Sequence, residues 1–219
     1  MFKLVIFDLD GTLVDSRRDI ANSVNHMLGV YGLPTLPPEV IETYVGLGAD
    51  RLVRLSMGGA AQRHDIKEAV RLFRTHYVDH CLDTTVTFPM IIETLELLAA
   101  EGTALAILTN KPSHICRRMV DGLGLAGYFG LILGPEEVPS MKPSPEAAEP
   151  IFRRYPVGRD LVLMVGDSKF DTDFARNVGI RSLLVGYGGI TPQGELLSAG
   201  ADFFCKTPED LYRFFKTSM

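Results

Sequence analysis

Downstream of Pro89 the chain alternates between apolar segments of strand length and amphipathic segments of helix length, and this alternation limits the possible folds more than any other feature. The pattern predicts strands at 104–108, 131–133, 161–165, 181–185 and 202–204. It predicts helices at 90–101, 113–123, 145–154, 170–178 and a last one that begins with Thr207, Pro208 and Asp210. Parallel neighbouring strands need crossover connections, which helices supply. The chain is therefore predicted to form an α/β fold with a doubly wound, mostly parallel sheet.

A further strand is predicted near the N-terminus, in the sequence MFKLVIFDLDGTLVDS. The apolar run from Leu4 to Phe7 is typical of a strand buried on both faces, and two acids, Asp8 and Asp10, follow it directly. Two carboxylates this close at the end of a buried strand repel each other, which raises their pKa values or requires a cation. A divalent metal ion would meet that requirement. An ordinary turn built on Asp10 and Gly11 explains this stretch alone about as well.

Residues 16–85 differ from the rest of the chain because only helical periodicity is visible in them. One apolar stripe at helical spacing consists of Ile20, Val24, Met27, Leu28 and Tyr31. A second consists of Ile66, Ala69, Val70, Phe73 and Tyr77, and Pro37 and Pro38 open a short helix between the two. We therefore predict a helical domain at 16–85, inserted after the first strand into an α/β core of residues 1–15 and 86–219.

The composition argues against several classes of protein. A net charge of −5 in 219 residues disfavours a nucleic-acid partner. No apolar run reaches the roughly 18 residues of a membrane span, and no secretory leader is visible, so we expect a cytoplasmic protein without a membrane partner. The cysteines fit neither a disulfide framework nor a zinc site. The histidines fit no metal-binding spacing and are interpreted as residues of the surface or of the helical domain: His26, His64, His76, His80 and His114.

Polar residues follow the predicted strands at the point where each strand ends. Asp8 follows the first strand, Thr109 and Asn110 follow 104–108, Lys142 lies beyond 131–133, and Asp167 follows 161–165 and a glycine. Ligands of open α/β sheets bind at the carboxyl ends of the strands, so these side chains are expected to converge although they are far apart in the chain.

Each of these residues also has an ordinary structural explanation. Thr109 and Asn110 could cap the following helix, and Lys142 could be a solvated lysine before a turn. Asp167 could cap the helix that starts near Phe170, while Asp171 and Asp173 could simply favour the dipole of that helix. Their ordered recurrence at strand ends favours a shared site over these separate explanations.

The motifs resemble those of the haloacid dehalogenase superfamily of phosphatases. The resemblance is carried by FDLDGT at 7–12, LTN at 108–110, the lysine of KP at 142 and GDSKFD at 166–171. DLDGTLVDS, VGLGAD at 45–50 and TNKP at 109–112 are similar to the phosphoglycolate phosphatase subgroup, from which FPM at 88–90 and Arg18 depart. The resemblance implies a Rossmann-like catalytic core at 1–15 and 86–219 with an all-helical cap at 16–85.

The resemblance also implies a mechanism. Asp8 would attack phosphorus to form an aspartyl phosphate, which water then hydrolyses, and Asp10 would act as general acid and base. Mg²⁺ would be held by the carboxylates of Asp8 and Asp167 and by the backbone carbonyl of Asp10, because hard oxygen ligands suit magnesium.

The remaining motif residues would bind the phosphoryl group. Thr109, Asn110 and Lys142 would contact its oxygens, and Asp171 would orient Lys142 or the water shell of the metal. The implied substrate is a small phosphorylated metabolite of the phosphoglycolate type, with Arg51 and Arg54 as candidates for contacting its carboxylate. A monomer or a weak homodimer is expected.

Three alternatives to this function stay open at this point. A phosphomutase of the same superfamily is one, although Val45 and Ala49 stand where its cap lysine and arginine would align. Another phosphatase, acting on a sugar phosphate, a nucleotide or pyrophosphate, is the second. A receiver-type phospho-acceptor domain is the third, although its phosphorylated aspartate would come later in the chain than Asp8.

Overall fold

The computed structural model describes residues 2–46, 48–189 and 198–217. The VGLGAD segment is therefore described except for Leu47, which lies outside these residues. The chain forms two compact units, and the boundaries between them fall after Asp15 and after Val86. Met1–Asp15 and Thr87–Met219 form the first, here called the α/β unit, and Ser16–Val86 forms the second, here called the helical unit.

The strands of the described residues are β1 Leu4–Phe7, β2 Val14–Asp15, β3 Val86–Thr87, β4 Ala104–Leu108, β5 Leu131–Leu133, β6 Val162–Gly166, β7 Arg181–Val185 and β8 Phe203–Cys205. Six of them form one sheet in the order β5-β4-β1-β6-β7-β8, and each neighbouring pair is parallel. The predicted parallel α/β sheet is confirmed. β6 and β8 each lie one residue further along the chain than their apolar runs predict.

The helical unit contains α1 Arg17–Val30, α2 Pro38–Glu42, α3 Ala49–Met57 and α4 Ile66–His80, with a 3-10 helix at Gly58–Gln62. Helix α1 packs against α4, and the predicted stripes supply the buried contacts, including Val24 and Phe73. Asp19 is buried within this unit, where its carboxylate accepts hydrogen bonds of 2.6 to 3.1 Å from Thr84 and Thr85.

The α/β unit contains α5 Ile91–Ala100, α6 Ser113–Gly122, α7 Glu149–Arg154, α8 Lys169–Val178 and α9 Pro208–Thr217. The predicted helix at 145–154 begins as a 3-10 turn, Pro145–Ala148, and becomes α-helical from Glu149. Thr207 and Asp210 make reciprocal side-chain to backbone hydrogen bonds at the start of α9, as their spacing predicts. None of the helices in the described ranges is long and apolar enough to cross a membrane.

Strand β1 is one of the two central strands of the sheet and is buried on both faces. On one face Leu4 and Ile6 join a core that includes Ile151 and Phe174 from α7 and α8. On the opposite face, the ring of Phe7 packs edge to face against that of Phe129, with ring centroids 6.3 Å apart. The burial of every side chain explains the continuous apolar run in the sequence. Asp8 comes directly after this strand.

Candidate active site

The register of the sheet brings the predicted site residues to one edge. Phe7 pairs with Ile107 of β4 and with Val165 of β6, so these three strands end side by side. Asp8, which follows β1, therefore lies level with Gly166, the last residue of the neighbouring β6, and Asp167 comes directly after that glycine. The carboxyl end of the parallel sheet is where ligands bind in open α/β folds.

Three carboxylates meet at this edge. Asp8, Asp167 and Asp171 each present one oxygen, and these oxygens all lie within 4.8 Å of one another. Among the residues that the structure describes, Oδ1 of Asp8 and Oδ2 of Asp167 are buried and make no hydrogen bond. Buried acceptors that accept no hydrogen bond are costly, and a bound cation would satisfy both. The donor set is all oxygen, so these residues fit Mg²⁺ or a similarly hard divalent ion.

The same crowding changes the protonation of the acidic cluster. Burial raises the pKa of Asp8 to about 6, against the opposing effect of Lys142, and the charges of Asp171 and Asp10 add to the rise. Burial also raises the pKa of Asp167 well above its ordinary value, and Asp171 and Asp8 add to it. A cation at this position would oppose both shifts because it favours the ionised carboxylates.

Lys142 supplies positive charge inside this cluster. Its Nζ donates a 2.6 Å hydrogen bond to Oδ1 of Asp171 and lies 3.1 Å from Oδ1 of Asp8, an ion-pair contact outside hydrogen-bonding geometry. Burial alone would lower the pKa of Lys142, but Asp171 and Asp8 outweigh it and the pKa is raised. The lysine is therefore held as an ammonium group beside the carboxylate of Asp8.

Asp171 links this lysine to the start of helix α8. Its Oδ2 accepts hydrogen bonds from the backbone N and the hydroxyl of Ser168, which is the N-cap residue and forms a capping box with Asp171. The alternative that Asp167 caps this helix is therefore wrong. Gly166 is needed for the close approach, since a Cβ there would lie 2.1 Å from Cγ of Asp171.

Thr109 and Asn110 follow β4, but neither caps the next helix, whose N-cap is Pro112. Oδ1 of Asn110 accepts a 3.1 Å hydrogen bond from the backbone N of Lys142, and its Nδ2 donates to the backbone O of the same residue at 3.2 Å. The amide of Asn110 thus fixes the backbone of Lys142. Thr109 is 4% exposed, and its hydroxyl oxygen accepts a 3.2 Å hydrogen bond from the backbone N of Lys111.

Lys111 is a residue at this edge to which the sequence assigns no role. Its Nζ donates hydrogen bonds of 2.8 Å to both carboxylate oxygens of Asp10. The two side chains are 5% and 15% exposed. The TNKP motif contains this lysine, but nothing in its local pattern indicates that Asp10 is its partner.

The loop after β7 also reaches the site, which the sequence does not predict. The hydroxyl of Tyr187 donates a 3.0 Å hydrogen bond to the backbone O of Thr12. A Cβ on the next residue, Gly188, would lie 2.2 Å from the backbone O of Gly11 and 2.9 Å from Oδ2 of Asp167. Only glycine allows this loop to approach the DxDGT segment so closely.

Comparison with known proteins identifies the family. A family model described as haloacid dehalogenase-like hydrolase matches residues 5–185, which is most of the chain. The chain belongs to this hydrolase family. The resemblance inferred from the motifs is confirmed, and membership of a hydrolase family favours an enzyme over a receiver-type domain.

Relatives of this haloacid dehalogenase-like hydrolase agree in their names. Phosphoglycolate phosphatase 1 of Pseudomonas aeruginosa is 35% identical over 192 residues, which cover 85% of this chain and 70% of that protein. Phosphoglycolate phosphatase of Vibrio parahaemolyticus is 35% identical over 216 residues, covering 95% and 94% of the two chains. The crystal structure of a predicted phosphoglycolate phosphatase from Haemophilus somnus 129pt is similar with a TM-score of 0.90 and 29% identity, over 100% of this chain and 98% of that one.

Proposed function

We propose that this haloacid dehalogenase-like hydrolase is a magnesium-dependent phosphatase, which hydrolyses a small phosphate monoester of the phosphoglycolate type through an aspartyl phosphate on Asp8. The observation that carries the proposal is the convergence of Asp8, Asp167 and Asp171, with Lys142 beside Asp8 and Asp171 and with a buried oxygen on Asp8 and on Asp167 that accepts no hydrogen bond from the described residues. The phosphoglycolate phosphatases among its relatives support the choice of substrate.

In the first step, a carboxylate oxygen of Asp8 forms a bond to phosphorus while the bond from phosphorus to the ester oxygen breaks. The electron pair of the broken bond goes to the leaving oxygen, which takes a proton from the carboxyl group of Asp10. In the transition state, negative charge spreads over the phosphoryl oxygens. The ammonium group of the neighbouring Lys142 would lie close to these oxygens and stabilise that charge.

In the second step, a water oxygen attacks phosphorus of the aspartyl phosphate, and the carboxylate of Asp10 takes one of its protons. The bond between phosphorus and the oxygen of Asp8 breaks, its electrons return to the carboxylate, and inorganic phosphate leaves. The same side chain thus gives a proton in one step and takes one in the other, which a carboxyl group near neutral pH can do.

The proposed magnesium ion would be held by the carboxylates of Asp8 and Asp167 and the backbone carbonyl of Asp10. When bound, it supplies charge neutralisation between the carboxylates and the phosphoryl oxygens. Asp171 is assigned a supporting role because its oxygens are already engaged by Lys142 and Ser168. Thr109 and Asn110 are proposed phosphate ligands, and Asn110 in addition holds Lys142 in place.

We infer that the α/β unit is the catalytic core and the helical unit the cap that selects the substrate, since the chain enters the helical unit directly after the segment that carries Asp8 and Asp10. Arg54 is paired with Asp50 at 2.6 Å, whereas Arg51 is exposed and its guanidinium makes no hydrogen bond or ion pair with the described residues. Arg51 is therefore the better candidate for a substrate carboxylate. A small metabolite as substrate agrees with the predicted cytoplasmic location, and a monomer or weak homodimer stays the expected assembly.

The experiment that tests the proposal is phosphate release from a panel of phosphorylated metabolites in the presence of Mg²⁺. We expect phosphoglycolate to give the highest kcat/KM, Asp8→Asn to abolish turnover, and removal of metal by EDTA to stop the reaction until Mg²⁺ is restored. The matched control is Asp173→Asn, which removes a carboxylate that pairs with Arg176 away from the cluster. Near-normal turnover by Asp8→Asn would overturn the mechanism, and a clear preference for nucleotides or sugar phosphates would overturn only the substrate.

A further inference from the structure

The two buried lysines of the α/β unit contact different carboxylates. Lys142 contacts Asp8 and Asp171, whereas Nζ of Lys111 lies 2.8 Å from each oxygen of Asp10. Lys111 thus contacts the residue proposed to move protons and not the residue proposed to attack phosphorus.

The backbone holds Lys111 firmly in this position. Its residue lies between the end of β4 and the start of α6, and its backbone N donates to the hydroxyl oxygen of Thr109 at 3.2 Å. The side chain is only 5% exposed, so few other positions are open to it. A lysine fixed at its base and bonded to both oxygens of a carboxylate restricts the rotation of that carboxylate.

We propose that Lys111 is a positioning residue for Asp10, an inference that rests on the proposed phosphatase mechanism. The two hydrogen bonds fix the plane of the Asp10 carboxylate, whose oxygen accepts a proton from the attacking water in the second step. The strongest effect is therefore expected in the second step, in which the bond between Asp8 and phosphorus is broken by water. Lys111 acts through Asp10, and the proposed mechanism assigns it no contact with phosphorus.

p-Nitrophenyl phosphate separates the two steps, because p-nitrophenolate leaves without needing a proton from Asp10. Lys111→Met should therefore still form the aspartyl phosphate at close to the wild-type rate and then hydrolyse it slowly. We expect steady-state turnover about 10- to 100-fold lower than wild type, as is typical when a residue that orients a functional side chain is lost. The fraction of Asp8 that is phosphorylated at steady state, measured by mass spectrometry after acid quenching, should rise.

A double-mutant cycle tests whether Lys111 acts through Asp10. If it does, Lys111→Met should lower turnover when it is introduced into the wild-type protein, but it should have almost no further effect on the turnover of Asp10→Asn. Lys3→Met is the matched control: it removes an exposed lysine just before β1, at the opposite end of the same sheet, and should leave turnover and phosphoenzyme level unchanged. Lys111→Gln, which keeps a donor, provides a second variant if thermal unfolding shows that the methionine variant is not folded.

Two results would overturn this inference while leaving the phosphatase intact. One is wild-type turnover by folded Lys111→Met or, should that variant not fold, by Lys111→Gln. The other is a slow variant whose effect multiplies fully with that of Asp10→Asn, since Lys111 would then act on another group. A wild-type protein that never forms phosphorylated Asp8 would instead reject the proposed function itself.

Discussion

Nζ of Lys142 donates a 2.6 Å hydrogen bond to Oδ1 of Asp171, and both side chains are only 2% exposed. The other oxygen of Asp171 is bonded to Ser168 at the start of α8, so the position of the lysine depends on the first turn of that helix. A buried ion pair adds little net stability compared with apolar residues of the same size. Its presence here is better explained by the need to hold an ammonium group beside Asp8.

Asp171→Asn is expected to destabilise the protein by about 3 to 5 kcal/mol, because it leaves the buried ammonium of Lys142 with a weaker partner. It should also raise KM for the phosphate ester, since Lys142 would no longer be held in place. The free energy of unfolding, measured in urea, and steady-state kinetics check the two effects.

Asp173→Asn is the control for this substitution. Asp173 lies on the same helix as Asp171, but its ion pair with Arg176 is partly exposed. That pair should contribute no more than about 1 kcal/mol to the free energy of unfolding. Equal losses of stability in the two variants would show that the buried ion pair of Lys142 and Asp171 contributes no more to the free energy of unfolding than the exposed pair of Asp173 and Arg176.

Metal binding and pH should be coupled through the acidic cluster. The pKa of Asp8 is raised from 3.8 to about 6 in the folded metal-free protein, chiefly by burial, so the folded state holds this proton more tightly than the unfolded state. The free energy of unfolding should therefore fall as pH rises through this interval. Mg²⁺ should raise Tm more at pH 7.5 than at pH 5, because only the ionised carboxylates bind it well.

Thermal unfolding with EDTA or with Mg²⁺ at the two pH values measures this coupling. The variant Asp167→Asn replaces the carboxylate of Asp167, one of whose oxygens is buried without a hydrogen bond from the described residues, and should lose most of the magnesium-dependent rise in Tm. A rise that is the same at both pH values, or that survives in this variant, would exclude the acidic cluster as the metal site.

Much of the fold could be predicted because local patterns and tertiary structure agree. The bounds of β4 and β5 match their apolar runs, ALAIL and LIL, and the start of α9 matches the Thr-Pro-x-Asp signature. The convergence of Asp8 and Asp167 could also be predicted, since parallel strands end at one edge of the sheet. Each of these features follows from a short sequence pattern, because each acid comes directly after the apolar run of its own strand.

The partners of the buried polar groups could not be predicted in the same way. The bond between Lys111 and Asp10 joins residues far apart in the chain, and a lysine after a Thr-Asn pair has no pattern that indicates its partner. The first residue of helix α3 could not be predicted, because its N-cap residue is Gly48, which has no side chain to cap the helix. The approach of Gly188 to Gly11 depends on the course of a loop, which local sequence does not specify.

The buried carboxylate of Asp19 should stabilise the helical unit. Hydrogen bonds from Thr84 and Thr85 outweigh the effect of burial and lower the pKa of Asp19 below 3.8. The stabilisation is therefore fully present above pH 4 and is lost as pH falls through the lowered pKa. Asp19→Asn should cost about 1 to 3 kcal/mol at pH 7, because the amide cannot accept all of these hydrogen bonds.

Asp79→Asn is the matched control for Asp19→Asn, since Asp79 is exposed on helix α4 of the same unit. It should change the free energy of unfolding by no more than about 0.5 kcal/mol. Equal urea midpoints for the two variants would contradict the role assigned to Asp19.

A stack of three histidines should make the helical unit sensitive to acid. The ring centroid of His76 lies 4.0 Å from that of His26 and 4.1 Å from that of His80. Nδ1 of His76 is 2.9 Å from the hydroxyl oxygen of Ser23. Burial lowers the pKa of His76, and the charges of His26 and His80 lower it further, against the opposing effect of Asp79 and Asp83. The folded state therefore binds a proton on His76 less readily than the unfolded state. As a result, the free energy of unfolding has its full value above pH 6.5 and falls as the pH drops below 6.5.

Hydrogen exchange of the amides in α1 and α4 at pH 7.5 and pH 5 tests this sensitivity within the unit itself. After correction for the intrinsic effect of pH on exchange, protection should be weaker at pH 5 in the wild type. His76→Gln should reduce the difference between the two pH values, because it removes the group whose protonation the stack opposes. The control His114→Gln alters an exposed histidine of the α/β unit and should leave the difference unchanged. Equal protection of the wild type at both pH values would mean that the stacked rings accept a proton without loss of stability, and the histidines would then have no role in the response to acid.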